Sequence, residues 1–249
     1  MDSKFQMPTE TVELPSKGLL YPEDSPLAAG TIEMKYMTAK EEDILTNTNY
    51  IRQGTAIDKL LASLIVDKSI NFNDILIGDK NAIMLAARVL AYGKNYEVEI
   101  AGNKQVVDLS KLEEKQVNWE LFESRINEFT FSLPKTGNII TFKILSHKDE
   151  KTIDMEVAGL QKIDKNSSPE SSTRLKYMIT SINGIRELKD IREFVDKYLL
   201  AQDARAFRKY YNEISPDIKL KVTLTTDDGR EEEYDLPIGL SFFWPDYGL

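Results

Sequence analysis

Between Lys80 and Ile100 the hydrophobic period of the chain changes within a few residues. Ile83, Ala86, Ala87 and Leu90 recur at the spacing of one helical face, Gly93 follows as a left-handed stop, and Tyr96, Val98 and Ile100 then alternate as on a half-buried strand. A chain that switches this way is neither all-α nor all-β, and the switch recurs. Val107 and Leu109 resume the alternation after "AGNK", as in a hairpin with its loop at Gly102 and Asn103. Phe129, Phe131 and Leu133 lead into "PKTGN" and Ile140, Phe142 and Ile144 lead out, with Pro134 and Gly137 supplying the turn. A third hairpin runs from Ile218, Leu220, Val222 and Leu224 through "DDG" to Tyr234, Leu236 and Ile238, and Pro237 marks that last arm as an edge strand.

Helical spacing fills the intervals. Thr38 with Glu41 fits a capping box, "AIDKLLASLIV" repeats Ile57, Leu60, Leu61, Leu64 and Ile65 on one face, and Asp79 is placed to cap the helix that follows. From Asp149 four helices are expected: one through Ile153, Val157 and Leu160, one through Leu175, Met178, Ile179 and Ile182, then "LKDIREFVDKYLL" and "DARAFRKYYNEI". The expected fold is α+β, helical blocks packed with antiparallel β-hairpins. Its expected subdivisions are an extended N-terminal arm and strand (1–37), a helical region (38–93), two β-hairpins (94–147), a second helical region (148–215) and a C-terminal hairpin with an aromatic tail (216–249).

The side chains that carry chemistry do not converge. With no Cys among 249 residues, disulfides, thiolate zinc sites and cysteine nucleophiles are excluded together. A formal net charge of -9 with interspersed signs disfavours binding to nucleic acid, and no apolar run is long enough for membrane insertion or shaped like an export signal. The sole His, His147, stands beside Asp149 and Glu150, which a helix N-terminus explains better than a metal does. "SLPKTG" sets Ser132 and Lys135 at a strand end and turn rather than on the helix a Ser-x-x-Lys nucleophile needs. "TTDDGREEEYD" lacks the alternate oxygen ligands of a calcium loop. In "DARAFRKYYNEI" the spacing turns Phe207, Tyr210 and Tyr211 to the core and Arg205, Arg208 and Lys209 to solvent. No catalytic, cofactor or metal residue is expected.

The closing "IGLSFFWPDYGL" crowds more apolar surface than one half-buried edge strand uses. Leu240, Phe242, Phe243 and Trp244 read as a continuation of the strand, serving either as a cap on the chain's own core or as an anchor for another molecule. Together with "ELPSKGLLYPEDSPLAAGTIEMKYMTAKEEDIL", "DLSKL" and "FTFSLPKTGNIITFKIL", the segment "LPIGLSFFWP" resembles the T4-type bacteriophage baseplate protein family, which contains hub components and hub assembly factors of contractile tails. The resemblance spans nearly the whole chain and brings no functional site. Some members carry a Cys-x-x-Cys in the first hairpin where this chain has "AGNKQ", so a zinc-clasped turn is not implied here.

What the resemblance implies is a non-enzymatic assembly protein of the infected bacterial cytoplasm that promotes formation of the central hub. The implied partners are hub proteins and other hub assembly factors. A permanent minor component of the virion baseplate is the alternative, and an infection-stage hydrolase a further one. Partner-binding residues are expected where large apolar side chains stand in extended ends: Leu19, Leu20 and Tyr21, and Leu240, Phe242, Phe243, Trp244 and Tyr247.

Overall fold

The computed structural model describes residues 7–100, 103–225 and 230–243. Residues 9–35 double back on themselves instead of running out as an extended arm. β1 (Thr9–Glu13) pairs antiparallel with β2 (Thr31–Lys35), Val12 opposite Ile32. The chain between them turns through Lys17 and a 3-10 turn at Pro26–Ala29, which Ser25 caps by accepting from the Leu27 amide. Its Pro and Gly residues set these turns, and its apolar residues Leu14, Leu20, Tyr21 and Leu27 are buried.

α1 (Ala39–Leu45) begins where the capping box predicts. Here the Thr38 hydroxyl donates: it and the Thr38 amide both reach the Glu41 carboxylate, at 2.5 and 3.1 Å, and Lys35 adds an ion pair at 2.6 Å. α2 (Thr48–Arg52) and α3 (Ala56–Leu64) follow, the latter burying Leu60, Leu61 and Leu64 as its period requires. α4 (Ile77–Tyr92) starts three residues earlier than a cap at Asp79 would allow. Asp79 lies inside the first turn, where it is fully buried and bonded to the N-terminal segment rather than to its own helix. Gly93 ends the helix with φ 80°, its amide still bonded to the Val89 carbonyl, but its ψ of 175° is extended rather than left-handed helical.

β3 (Asn95–Ile100) and β4 (Asn103–Asp108) form the first hairpin, and the loop at Ala101 and Gly102 lies outside the described residues. β5 (Phe129–Ser132) and β6 (Ile139–Phe142) form the second, Phe131 opposite Ile140. α5 (His147–Ile163) and α6 (Glu170–Met178) match expectation in type, but α6 stops at Met178. Ile179 and Ile182, expected on that helix, belong instead to β7 (Ile179–Ile182), which adds to β6 in the sheet order β5-β6-β7. The Lys143 amide takes the Met178 carbonyl at 2.9 Å, and Thr141 bonds side chain to side chain with Thr180 and Ser181, so "ITSI" finds its polar partners across a sheet. α7 (Leu188–Lys197) and α8 (Ala201–Ile214) precede the last hairpin, β8 (Lys221–Thr225) and β9 (Glu231–Asp235), whose turn at "DDG" falls outside the described residues. The tail then forms one helical turn, α9 (Leu240–Phe243), not a strand: Phe242 donates its amide to the Gly239 carbonyl.

One contiguous core joins these pieces. Phe142 of β6 meets Phe207 of α8 edge to face at 4.9 Å and Phe129 of β5 at 5.7 Å, while Phe122 extends the cluster to the loop before β5. Tyr211 buries its ring beside them, which pushes its hydroxyl up to about 12, and accepts from the Leu145 amide at 3.0 Å. α8 is sided as its spacing gives, with Phe207 and Tyr211 inside and Arg205, Arg208 and Lys209 exposed.

Candidate partner-binding surface

The polar groups with catalytic potential are engaged within the fold. His147 is buried at the start of α5, its ring edge on to Phe72 at 5.0 Å. Lys80 Nζ lies 3.1 Å from its Nδ1, and Asp58 Oδ2 lies 3.0 Å from its Nε2. A Lys can only donate, so in the neutral ring Nδ1 accepts and the proton sits on Nε2, which is close to Asp58 but not aligned for a hydrogen bond with it. Lys80 and Asp58 also pair directly at 2.8 Å. Burial acts to raise the Asp58 carboxyl, but His147 and Lys80 outweigh it and hold the group at about 2. This triangle ties α3, α4 and α5 together. Among the described residues no three His, Cys, Asp or Glu side chains are grouped to hold a metal ion.

Two buried carboxylates do a related job. Asp79 accepts from the Ser16 amide (2.9 Å), the Ser16 hydroxyl (2.7 Å) and the Tyr21 hydroxyl (2.6 Å), while Tyr21 accepts from the Leu76 amide (2.9 Å). Asp203, in the first turn of α8, accepts from the Lys135 amide (2.7 Å) and from the amide and hydroxyl of Thr136 (3.2 and 2.8 Å). "SLPKTG" is therefore a hairpin turn clasped by a helix, with Ser132 exposed on the strand end. Each carboxyl group converts a distant turn into a fixed one by accepting three bonds from it.

Leu20 and Tyr21 are buried around Asp79 and Leu19 is half-buried. Phe242 and Phe243 are fully buried in this chain's core, Phe242 edge to face with Tyr96 at 5.0 Å, and Leu240 is half-buried. The Tyr96 hydroxyl donates to the Pro237 carbonyl at 3.0 Å, fixing the bend into the last turn. Trp244 and Tyr247 lie outside the described residues. Among the described residues the two sets do not meet: Tyr21 sits at the first turn of α4, whereas Phe242 packs on Tyr96 beyond its last turn.

A different apolar surface is exposed. Ile182, Ile185, Phe194 and Tyr198 line a groove of about 340 Å³ rimmed by Asp190 and Glu193. Leu188 and Tyr198 are each 60% exposed, Ile139 52% and Ile185 49%. Asn183 (φ 50°) and Gly184 (φ 85°) make the tight turn that projects Ile185. An Asn-Gly pair at this position is the signal that finds both the turn and β7, since it asks for positive φ at two successive residues and so for a hairpin rather than a helix.

No helix among the described residues is long and apolar enough to cross a membrane. Neither the curated proteins nor the solved structures give a match to this chain. The family model described as T4 bacteriophage base plate protein matches residues 7–244, nearly the whole chain from β1 through α9, and the chain belongs to that family.

Proposed function

We propose that this chain is a non-enzymatic tail assembly protein that promotes formation of the baseplate central hub by binding hub subunits. The observation that carries this reading is the family match across residues 7–244, in a chain whose buried His and carboxylates are engaged in its own fold. The proposed contact residues are apolar side chains exposed together around the groove: Ile185, Leu188 and Tyr198, with Ile139. Half-buried Leu19 and Leu240 extend the proposed contacts, as do Trp244 and Tyr247, while Leu20, Tyr21, Phe242 and Phe243 would support them from within.

Affinity capture of the tagged protein from infected cells tests this. Ile185→Asp with Tyr198→Ala is expected to abolish capture of hub subunits while leaving the melting temperature within a few degrees. Deletion of 244–249 probes the tail in the same way. Undiminished capture by both variants would sink the surface assignment. A permanent place in the virion is the competing reading, and stoichiometric recovery of the chain from purified mature tails would favour it.

A further inference from the structure

Arg88 is the one Lys or Arg that is buried among the described residues, at 4% exposure, and no carboxylate described here lies within ion-pair distance of it. Its neighbours in kind are treated differently: Arg174, Arg186 and Arg192 each hold a glutamate with two nitrogens. Arg88 instead reaches two neutral acceptors at long range, the Gly93 carbonyl at 3.2 Å and the Asn95 carbonyl at 3.4 Å, and its Nε has no partner. Tyr92 and Tyr96 place their rings against the guanidinium at 5.1 and 5.7 Å.

A buried cation without a counter-ion is costly, and two carbonyls at these distances compensate little of that cost. Burial accordingly disfavours the charged form of Arg88. The guanidinium borders an open cleft of about 910 Å³ between α4, the first hairpin and the last turn, where Tyr92, Asn95, Tyr96, Gln105 and Ser241 join it. Glu97 and Glu99 also border the cleft, but they alternate with buried Tyr96 and Val98 and belong to the exposed face of β3. Lys104 borders the cleft too, but it stands opposite Glu99 in the hairpin register and shares that exposed face. The buried part of the site thus offers one planar cation between flat aromatic walls.

We infer that this cleft receives the carboxylate of an Asp or Glu side chain from a protein partner, with Arg88 as the ion that pairs with it. A planar monoanion matches a guanidinium edge bidentately. A phosphate dianion would need more donors than the one buried guanidinium supplies, and any reach toward Lys104 would bring it close to Glu97 and Glu99. The formal net charge of -9 weakens the binding of free anions, so a tight complex needs the carboxylate to arrive on a molecule that makes other contacts as well. This inference rests on the reading that the chain works by gripping other proteins.

The test needs no partner, so its failure leaves the assembly reading standing. In ¹⁵N-labelled protein the Arg88 Nε–H signal, assigned by its loss in Arg88→Lys, is followed during titration with N-acetyl-aspartate amide, with N-acetyl-asparagine amide and inorganic phosphate as separate arms. The expected result is a saturable shift with aspartate alone, its midpoint on the order of 10 mM for one bidentate pair without neighbouring contacts. Arg88→Met is expected to melt no lower than the parent, because it removes an uncompensated charge. No saturation by roughly 100 mM, a span far beyond that midpoint, would overturn the inference. So would a phosphate response as strong as the aspartate one, or a marked fall in the melting temperature of Arg88→Met, which would make Arg88 a structural cap on α4.

Discussion

Replacing Asp79 by alanine removes the acceptor on which three buried donors converge: the Ser16 amide, the Ser16 hydroxyl and the Tyr21 hydroxyl. A buried donor left without a partner costs about 1–3 kcal/mol. Relief of the carboxylate's own desolvation, which raises its pKa, offsets part of the sum. The Ser16 hydroxyl still accepts from Gly18, and Tyr21 still accepts from Leu76. A net loss of about 3–5 kcal/mol follows, read as a shift in the urea midpoint or a fall of roughly 10 °C in Tm. Asp79→Asn keeps one acceptor oxygen and should lose about half as much. The loss should also be local, because the three bonds hold residues 16–21 and little else. Lys17 is exposed on that turn, so trypsin should cut after it sooner in Asp79→Ala than in the parent, well below the denaturant concentration that unfolds the whole chain. A loss under about 1 kcal/mol with unchanged cleavage at Lys17 would show that apolar burial of Leu14, Leu20 and Leu27 alone holds the segment, and would refute the assignment.

Three further outcomes are expected. A Cβ on Gly78 would stand 1.9 Å from the Pro216 carbonyl oxygen, so Gly78→Ala must push α4 away from the 216–217 turn and should leave little soluble folded protein by size-exclusion chromatography. Asp58 is held at about 2 against an ordinary 3.8, a depressed carboxyl whose stabilisation is present above 3.8 and lost as pH falls through 2. Urea midpoints measured across that window should converge for the parent and Asp58→Asn, the difference at neutral pH being about 2 kcal/mol; a constant difference down to pH 2 would exclude the Asp58–His147–Lys80 triangle as its source. Phe242→Ala and Phe243→Ala should each lower stability by about 3–5 kcal/mol, checked by thermal unfolding, because both rings are fully buried.

The hydrophobic period was a good guide to element type and a poor one to what joins elements. Ile83 and Tyr96 marked the passage from helix to strand, and the hairpin around Pro134 and Gly137 stands where turn chemistry puts it. Ile179 and Ile182 misled, because a short apolar stretch after a helix has no period of its own to separate continued helix from strand, and pairing with β6 decided the matter. Asp79 looked like a cap for the same kind of reason: its residue type favours helix starts, but its partners are 58 to 63 positions away in sequence. The tail at Phe242 and Phe243 could be read as core or anchor until its neighbour Tyr96 was placed. Arg88 gave no signal at all, since what distinguishes it is the absence of a nearby carboxylate among the described residues.

The separation between Ser16 and Asp79 also bears on how the chain is made. Synthesis runs from the N-terminus, and Leu14, Leu20 and Tyr21 leave the ribosome more than 50 residues before the helix whose first turn bonds Ser16 and Tyr21. For that interval β1 and β2 can pair with each other, but the turn between them has no acceptor and its apolar side chains stay wet. The chain thus begins life with an adhesive stretch of its own uncovered, and that stretch is concealed only once the first turn of α4 has emerged.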